Sequence, residues 1–186
     1  MTTKPWRSLG SLALGALVAF WLAGCAAGPT PRDSETDRKS NEAAIFPLAV
    51  AQLSTASTPV AEYTTVFDAR LDDTYAFDEF PDLEESTWKD FFERCSENTR
   101  IRDEYDTQLV FAEYSEINRI DADYHDRAEG RSYIRLSRVG FNPEMDQAII
   151  YADQYCGNLC GQGFLILFKL EADGWKPTDM IMVWVS

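Results

Sequence analysis

Residues 133–185 read YIRLSRVGFNPEMDQAIIYADQYCGNLCGQGFLILFKLEADGWKPTDMIMVWV. This stretch decides the fold because it contains four apolar runs of strand length, separated by short segments of turn-forming residues. The runs cover 133–139, 148–155, 164–170 and 180–185. Strands that follow one another at this spacing are typical of an antiparallel meander.

The third run and the turn after it indicate how the strands lie. Phe164, Ile166 and Phe168 alternate in the sequence, so they share one face of a strand, and the run becomes polar at its end. Asp173 and Gly174 form the clearest hairpin signal, because both residues tolerate the positive φ of a two-residue turn. We therefore expect a sheet with one buried face.

Two helices are predicted ahead of the sheet. Asn41 can cap a helix over 42–53, in which Pro47 should produce a kink or mark the true start. Ser86 can cap the second helix. Four apolar side chains of this second helix share one face, namely Trp88, Phe91, Phe92 and Cys95.

Residue preference predicts the remaining segments. The β-branched and aromatic residues of 61–69 and 106–114 favour two further strands, and the acidic segment 70–85, with Pro81, favours a loop. The fold class that follows is α+β: a C-terminal four-stranded antiparallel sheet with a few helices packed on one face.

The N-terminal segment has the layout of an export signal. Lys4 and Arg7 precede an uncharged, mainly apolar stretch over 8–22. A membrane-spanning helix needs roughly 20 apolar residues, which is more than this stretch offers. We therefore expect residues 1–24 to be a cleavable signal peptide rather than a membrane span.

Residues 22–25, Leu-Ala-Gly-Cys, resemble the bacterial lipobox. The resemblance implies a lipoprotein in which Cys25 is the lipid-bearing first residue of the mature chain, with acyl chains such as palmitate. Two or three such chains make membrane attachment effectively permanent. The next residue is Ala26 rather than aspartate, which in the lipoproteins that this chain resembles implies the outer membrane and a domain facing the periplasm.

The segment after the anchor is polar. Residues 28–41 include no large apolar side chain, so they cannot bury enough surface to offset the entropy lost on ordering. We expect a lipidated flexible tether over 25–41 and a single globular domain over 42–186.

The chain is strongly acidic, with 31 acidic and 17 basic residues and a net charge of −14. Removal of residues 1–24 takes two basic residues with it and leaves a charge of −16. Such a charge repels nucleic acid and anionic headgroups. We therefore expect no nucleic-acid partner, membrane contact through the lipid on Cys25, and an envelope protein as a possible further partner.

Three motifs in the last third of the chain resemble an uncharacterised family of bacterial secreted proteins. The motifs are LSRVGFN at 136–142, CGNLCGQG at 156–163 and GW at 174–175. Members of that family carry SRVGFN, a CGxLCGxG turn and a final GxW. The resemblance implies secretion and no particular reaction.

Cys156 and Cys160 flank a glycine-rich turn between two predicted strands, where two β-carbons come close enough for a disulfide. Export to an oxidising compartment favours that bridge. The alternatives are two reduced cysteines or a bond from either one to Cys95. Once Cys25 is lipidated, three cysteines remain, so at least one stays unpaired, and we expect it to be Cys95.

Signals for catalysis are weak. A redox-active cysteine needs a nearby cation or helix start, but the charged residue close to the turn is Asp153. His125, in the acidic segment 121–126, could act as a general base or help to bind a hard cation, although an exposed polar segment explains it better. No GxSxG, HExxH or phosphate-binding glycine motif is present, so we predict no cofactor or metal site.

Arg138 and a group of apolar residues near the C-terminus each have two interpretations. Arg138 lies between apolar residues of a predicted strand, where pairing with a buried carboxylate is favoured over binding an anionic ligand. For the C-terminal group a core role is favoured over an exposed partner surface. Its members are Trp175, Met180, Met182 and Trp184.

The sequence thus predicts a lipid-anchored envelope lipoprotein that acts by binding or by structural interaction. The alternative is a periplasmic redox or hydrolytic enzyme that uses the Cys156–Cys160 turn or the His125 region.

Overall fold

Four antiparallel strands form the sheet predicted for the last third of the chain. In the computed structural model they are β1 (Tyr133–Phe141), β2 (Gln147–Tyr155), β3 (Gly161–Glu171) and β4 (Gly174–Val185). Their order in the sheet is β1-β2-β3-β4, and each neighbouring pair is antiparallel. The predicted α+β class with a C-terminal meander is confirmed.

The structure describes residues 35–53, 58–67, 73–122, 132–157 and 160–186. All of these belong to one compact unit. The predicted signal peptide, Cys25 and His125 lie outside the described residues. Within that part of the chain, no helix combines the length and the apolar character needed to cross a membrane.

Five helices precede the sheet in the described ranges. They are α1 (Glu35–Leu53), α2 (Asp73–Glu79), α3 (Glu85–Arg94), α4 (Ile101–Glu104) and α5 (Tyr114–Ala122).

The helices cover both faces of the sheet, which corrects the prediction of one covered face. On β2, Ile150 belongs to the cluster around α1, whereas its neighbour Ile149 belongs to the cluster around α3. Successive strand residues point to opposite faces, so the two helices lie on opposite sides. The physical reason is the composition of β2 and β3, whose apolar runs are nearly continuous and therefore need burial on both faces.

Helix α1 begins at Glu35, seven residues before the predicted domain boundary. The tether predicted over 25–41 is therefore wrong for residues 35–41. Glu35 and Asp37 lie in the first turn, where negative charge favours the positive end of the helix dipole. Asn41 does not cap the helix; it lies inside it, and its side chain accepts a hydrogen bond from Trp175 Nε1 at 2.9 Å.

The segments predicted as extra strands form isolated bridges instead. Val60 bridges both Phe111 and Ile134 in parallel, and Tyr63 bridges Arg100. The chain around residues 59–65 is held between β1 on one side and residues 99–112 on the other by single backbone hydrogen bonds. The segment 70–85, predicted as a loop, contains α2.

Two local predictions shift by one or two residues. The turn between β3 and β4 consists of Ala172 and Asp173, and the positive φ of 119° falls on Gly174 directly after it. Helix α3 begins at Glu85 with Glu84 as its N-cap residue rather than Ser86. The predicted apolar face of α3 is present, since Trp88, Phe91 and Cys95 are buried.

Candidate functional site

A buried carboxylate joins α1 to the rest of the fold. Glu42 is fully buried and accepts five hydrogen bonds. Arg138 donates from Nε at 2.9 Å and Nη2 at 3.0 Å, and Arg94 donates from Nη2 at 2.9 Å. The Tyr105 hydroxyl donates at 2.9 Å and the Val139 backbone N–H at 3.0 Å. The predicted pairing of Arg138 with a buried carboxylate is thus confirmed.

The Glu42 network is a structural device. A carboxylate offers about four acceptor positions, so five donors leave none for a substrate. Burial and the charge of Glu42 raise the pKa of Tyr105 above its ordinary value, so the hydroxyl stays protonated and donates. The network therefore fastens α1 to α3 and β1 rather than presenting a reactive group.

Cys95 lies beside this network as a free, buried thiol, as the sequence predicts. It is 2% exposed and donates to the Arg138 backbone oxygen at 3.3 Å. Burial raises the pKa of the thiol to about 12. Because the thiolate is the nucleophilic form, Cys95 is inert at neutral pH.

Cys156 and Cys160 form a disulfide between the ends of β2 and β3. Their Cα atoms are 5.1 Å apart, and the Cys156 N–H donates to the Cys160 oxygen at 2.8 Å. The predicted bridge is confirmed, and the reduced pair and the bond to Cys95 are ruled out.

The two glycines after the bridge provide space for a tryptophan. A Cβ on Gly163 would lie 2.0 Å from Trp184 Nε1, and a Cβ on Gly161 would lie 2.8 Å from the same ring. The indole of Trp184 therefore lies across both glycines. This role escaped the sequence analysis, although two glycines at strand spacing do indicate a close approach on one face.

A chain of hydrogen bonds runs from Trp184 across the sheet to β1. Trp184 Nε1 donates to the Tyr151 hydroxyl at 2.6 Å, and Tyr151 donates to Asp153 at 2.8 Å. Arg135 donates to the two Asp153 oxygens from Nε at 2.9 Å and Nη2 at 2.8 Å. Asp153 is fully buried, so this bidentate pair fixes the guanidinium firmly.

Arg135 is held in place from a second direction. Its guanidinium carbon lies 4.2 Å from the centre of the Tyr155 ring, and Nη2 donates to the Tyr155 hydroxyl at 2.7 Å. Burial alone lowers the pKa of Arg135, but the hydrogen bonds and charge of Asp153 outweigh it and raise the pKa. The result is a permanently charged guanidinium with a third of its side chain exposed.

The exposed part of Arg135 lines a cavity of about 610 Å³. Its lining includes the whole of the extended segment 61–66 and two residues of the first turn of α5. Apolar side chains form much of the lining, and those of Val66 and Tyr114 are also exposed to solvent. The lining residues outside 61–66 are Asn98, Ala112, Tyr114, Ile117 and Arg135.

Neither Arg135 nor this cavity was predicted from the sequence. One signal was present, because Arg135 and Asp153 are directly paired in the register of β1 and β2. Opposite charges facing each other across two strands are a recognisable pattern once the register is known. The cavity has no comparable signal, since its main wall is irregular.

The C-terminal apolar residues divide into two groups. Trp175 is buried as predicted, but Met180 and Met182 are 41% and 49% exposed, so their predicted core role is wrong. The reason is their position on β4, which lies at the edge of the sheet. Among the side chains that the structure describes, no three His, Cys, Asp or Glu residues converge on a possible metal site.

The chain has no match among protein-family models, among curated proteins or among solved structures. The resemblance of its three motifs to a secreted family therefore stays a prediction.

Proposed function

We propose that this chain is a lipid-anchored protein of the bacterial cell envelope whose folded unit binds a ligand rather than catalysing a reaction. The observation that carries the proposal is the cavity beside Arg135, which combines an apolar lining with one rigidly held polar group. Ligand sites typically have this composition and a volume of roughly 300–1,000 Å³. The buried groups that could do chemistry, Glu42 and Asp153, are occupied by internal donors.

The proposed location rests on the lipobox-like residues 22–25 and the export signal before them. In this proposal Cys25 carries the lipid, the outer membrane holds it, and the folded unit faces the periplasm. The acidic chain then meets the membrane through its acyl chains rather than through its surface charge.

A redox role has less support. The disulfide lies between two strand ends rather than at a helix start, where a thiolate would be stabilised. The cation on the neighbouring strand, Arg135, is engaged by Asp153.

The anchor is tested by replacing Cys25 with Ala in cells fed radiolabelled palmitate. We expect the wild-type protein to be labelled and the Cys25→Ala variant to lose both label and signal cleavage. A Cys95→Ala variant serves as the control. It should keep the label on Cys25, because the buried Cys95 thiol is not the proposed lipidation site. Persistent labelling of the Cys25→Ala variant would contradict the proposed anchor.

The cavity is tested with the neutral fluorescent probe N-phenyl-1-naphthylamine. All described residues belong to a compact unit that begins at Pro31, so residues 25–186 with Cys25→Ser contain the whole of it. We expect saturable binding, weakened at least tenfold by Val66→Glu, which places a charge in the apolar wall. A tenfold change corresponds to about 1.4 kcal/mol of binding free energy.

The matched control is Val185→Glu, which adds the same charge at a 70% exposed position on β4. This control should bind the probe like the parent protein. The proposal fails if the parent shows no saturable binding, or if the two variants lose affinity equally.

A further inference from the structure

We infer that the ligand of this cavity is a small amphiphilic anion, whose negative group binds Arg135 and whose apolar part lies against the wall formed by Ala61, Val66 and Ala112. This inference rests on the proposed binding function and names the class of ligand for the same site. Three features of the site support it: its unused donors, its local charge and its rigidity.

Arg135 keeps one open donor at the site, whereas the two carboxylates Asp153 and Glu62 are already engaged. Asp153 already accepts from Arg135 and Tyr151, and Glu62 accepts from Arg100 at 3.1 Å and from Arg102 at 2.6 Å. Arg135 uses Nε and Nη2 in its hydrogen bonds, which leaves Nη1 without a partner among the described residues. A ligand that pairs with Nη1 must therefore be a hydrogen-bond acceptor. A carboxylate, sulfonate or phosphate fits a guanidinium best.

The local charge permits an anion here although the chain as a whole is strongly acidic, at −14. Two acids of the site are matched by arginines, since Glu62 pairs with Arg100 and Arg102, and Asp153 pairs with Arg135. Charges that are neutralised at contact distance add little to the field beyond the screening length of about 8–10 Å. Glu62 and Asp153 therefore add little repulsion, and an anion that enters the cavity finds the open Nη1 donor of Arg135.

The guanidinium is rigid before any ligand binds. Stacking on Tyr155 and the bidentate bond to Asp153 hold it in one orientation. A side chain that is already ordered loses little conformational entropy on binding, so each new hydrogen bond contributes more to affinity. The apolar wall supplies the remainder of the binding free energy through burial of the hydrocarbon part.

Two probes that differ by one sulfonate group separate the contribution of Arg135 to binding from that of the apolar wall. Anilinonaphthalene sulfonate is N-phenyl-1-naphthylamine with an added sulfonate group. We expect the parent protein to bind the sulfonate more tightly than the neutral probe. Replacing Arg135 with Gln should weaken sulfonate binding at least tenfold and change binding of the neutral probe less than twofold, because the apolar wall is intact.

Arg135→Gln leaves Asp153 without its cationic partner, so a second measurement uses the unmodified side chains. Decanoate and decanol share one alkyl chain and differ in the head group. We expect decanoate to displace bound sulfonate probe at a concentration at least tenfold below that of decanol. Added NaCl should weaken sulfonate binding and leave the neutral probe unaffected.

The outcomes separate this inference from the function on which it rests. If neither probe binds, the proposed binding function fails as well. If both probes bind with equal affinity and decanol competes as well as decanoate, the cavity is a binding site but the anion preference is wrong.

Discussion

Replacing Glu42 with Gln is expected to lower the free energy of unfolding by about 4 kcal/mol. The amide is nearly isosteric, so the change removes the charge and one acceptor while leaving the packing in place. Arg94 and Arg138 then lose their buried counter-ion and keep only the exposed Glu35, at 3.6 and 3.7 Å, which compensates their charge poorly. Urea unfolding followed by tryptophan fluorescence measures the loss.

The control for this change is Glu104→Gln. Glu104 also pairs with a cation, Lys39, at 3.1 Å, but its side chain is 43% exposed. An exposed pair contributes about 0.5 kcal/mol, so this variant should unfold almost like the parent. A loss of less than 1 kcal/mol for Glu42→Gln would show that the buried network does not fasten α1 to the sheet as described.

Replacing Gly140 with Ala is expected to cost about 3 kcal/mol. A Cβ at this position would lie 2.5 Å from the N, Cα and Cβ atoms of Phe91 on α3. These are mainly backbone atoms, so the clash cannot be relieved by rotating a side chain. Helix α3 would have to move away from β1, which also disturbs the cluster in which Phe91 is fully buried.

Gly174→Ala is the matched comparison, because the chemical change is the same but the cause of the expected destabilisation is different. A Cβ at Gly174 meets no atom within 4 Å, but its φ of 119° is unfavourable for alanine. Conformational strain alone costs about 1–2 kcal/mol. We therefore expect Gly140→Ala to have a lower midpoint temperature of thermal unfolding than Gly174→Ala. The reverse order would contradict the close packing of α3 on β1.

The meander was predictable because its signal is local. Each strand contains an apolar run, and the turns between runs contain glycine, proline or acidic residues. Burial on both faces was readable in principle, since the run from Ala148 to Ala152 has no polar position that could face solvent. The alternation of apolar residues in β3 indicated one solvent-facing side instead.

The partners of the buried charges were predictable only in part. Arg138 indicated a buried carboxylate, but Glu42 lies 96 positions earlier in the chain, and nothing local singles it out among 31 acidic residues. The cavity was not predictable, because the segment 61–66 looks like a strand in composition. Its position depends on single backbone bonds, such as those from Ala61 and Thr65 to β1.

The central claim is that the cavity lined by segment 61–66, α5 and Arg135 is the ligand site. Amide chemical shifts of ¹⁵N-labelled residues 25–186 with Cys25→Ser, recorded during titration with N-phenyl-1-naphthylamine, test it most directly. We expect the largest shifts at residues 61–66, Ala112 and Arg135. Shifts confined to Met180 and Met182 on the exposed edge strand, or no shifts at saturating probe, would contradict it.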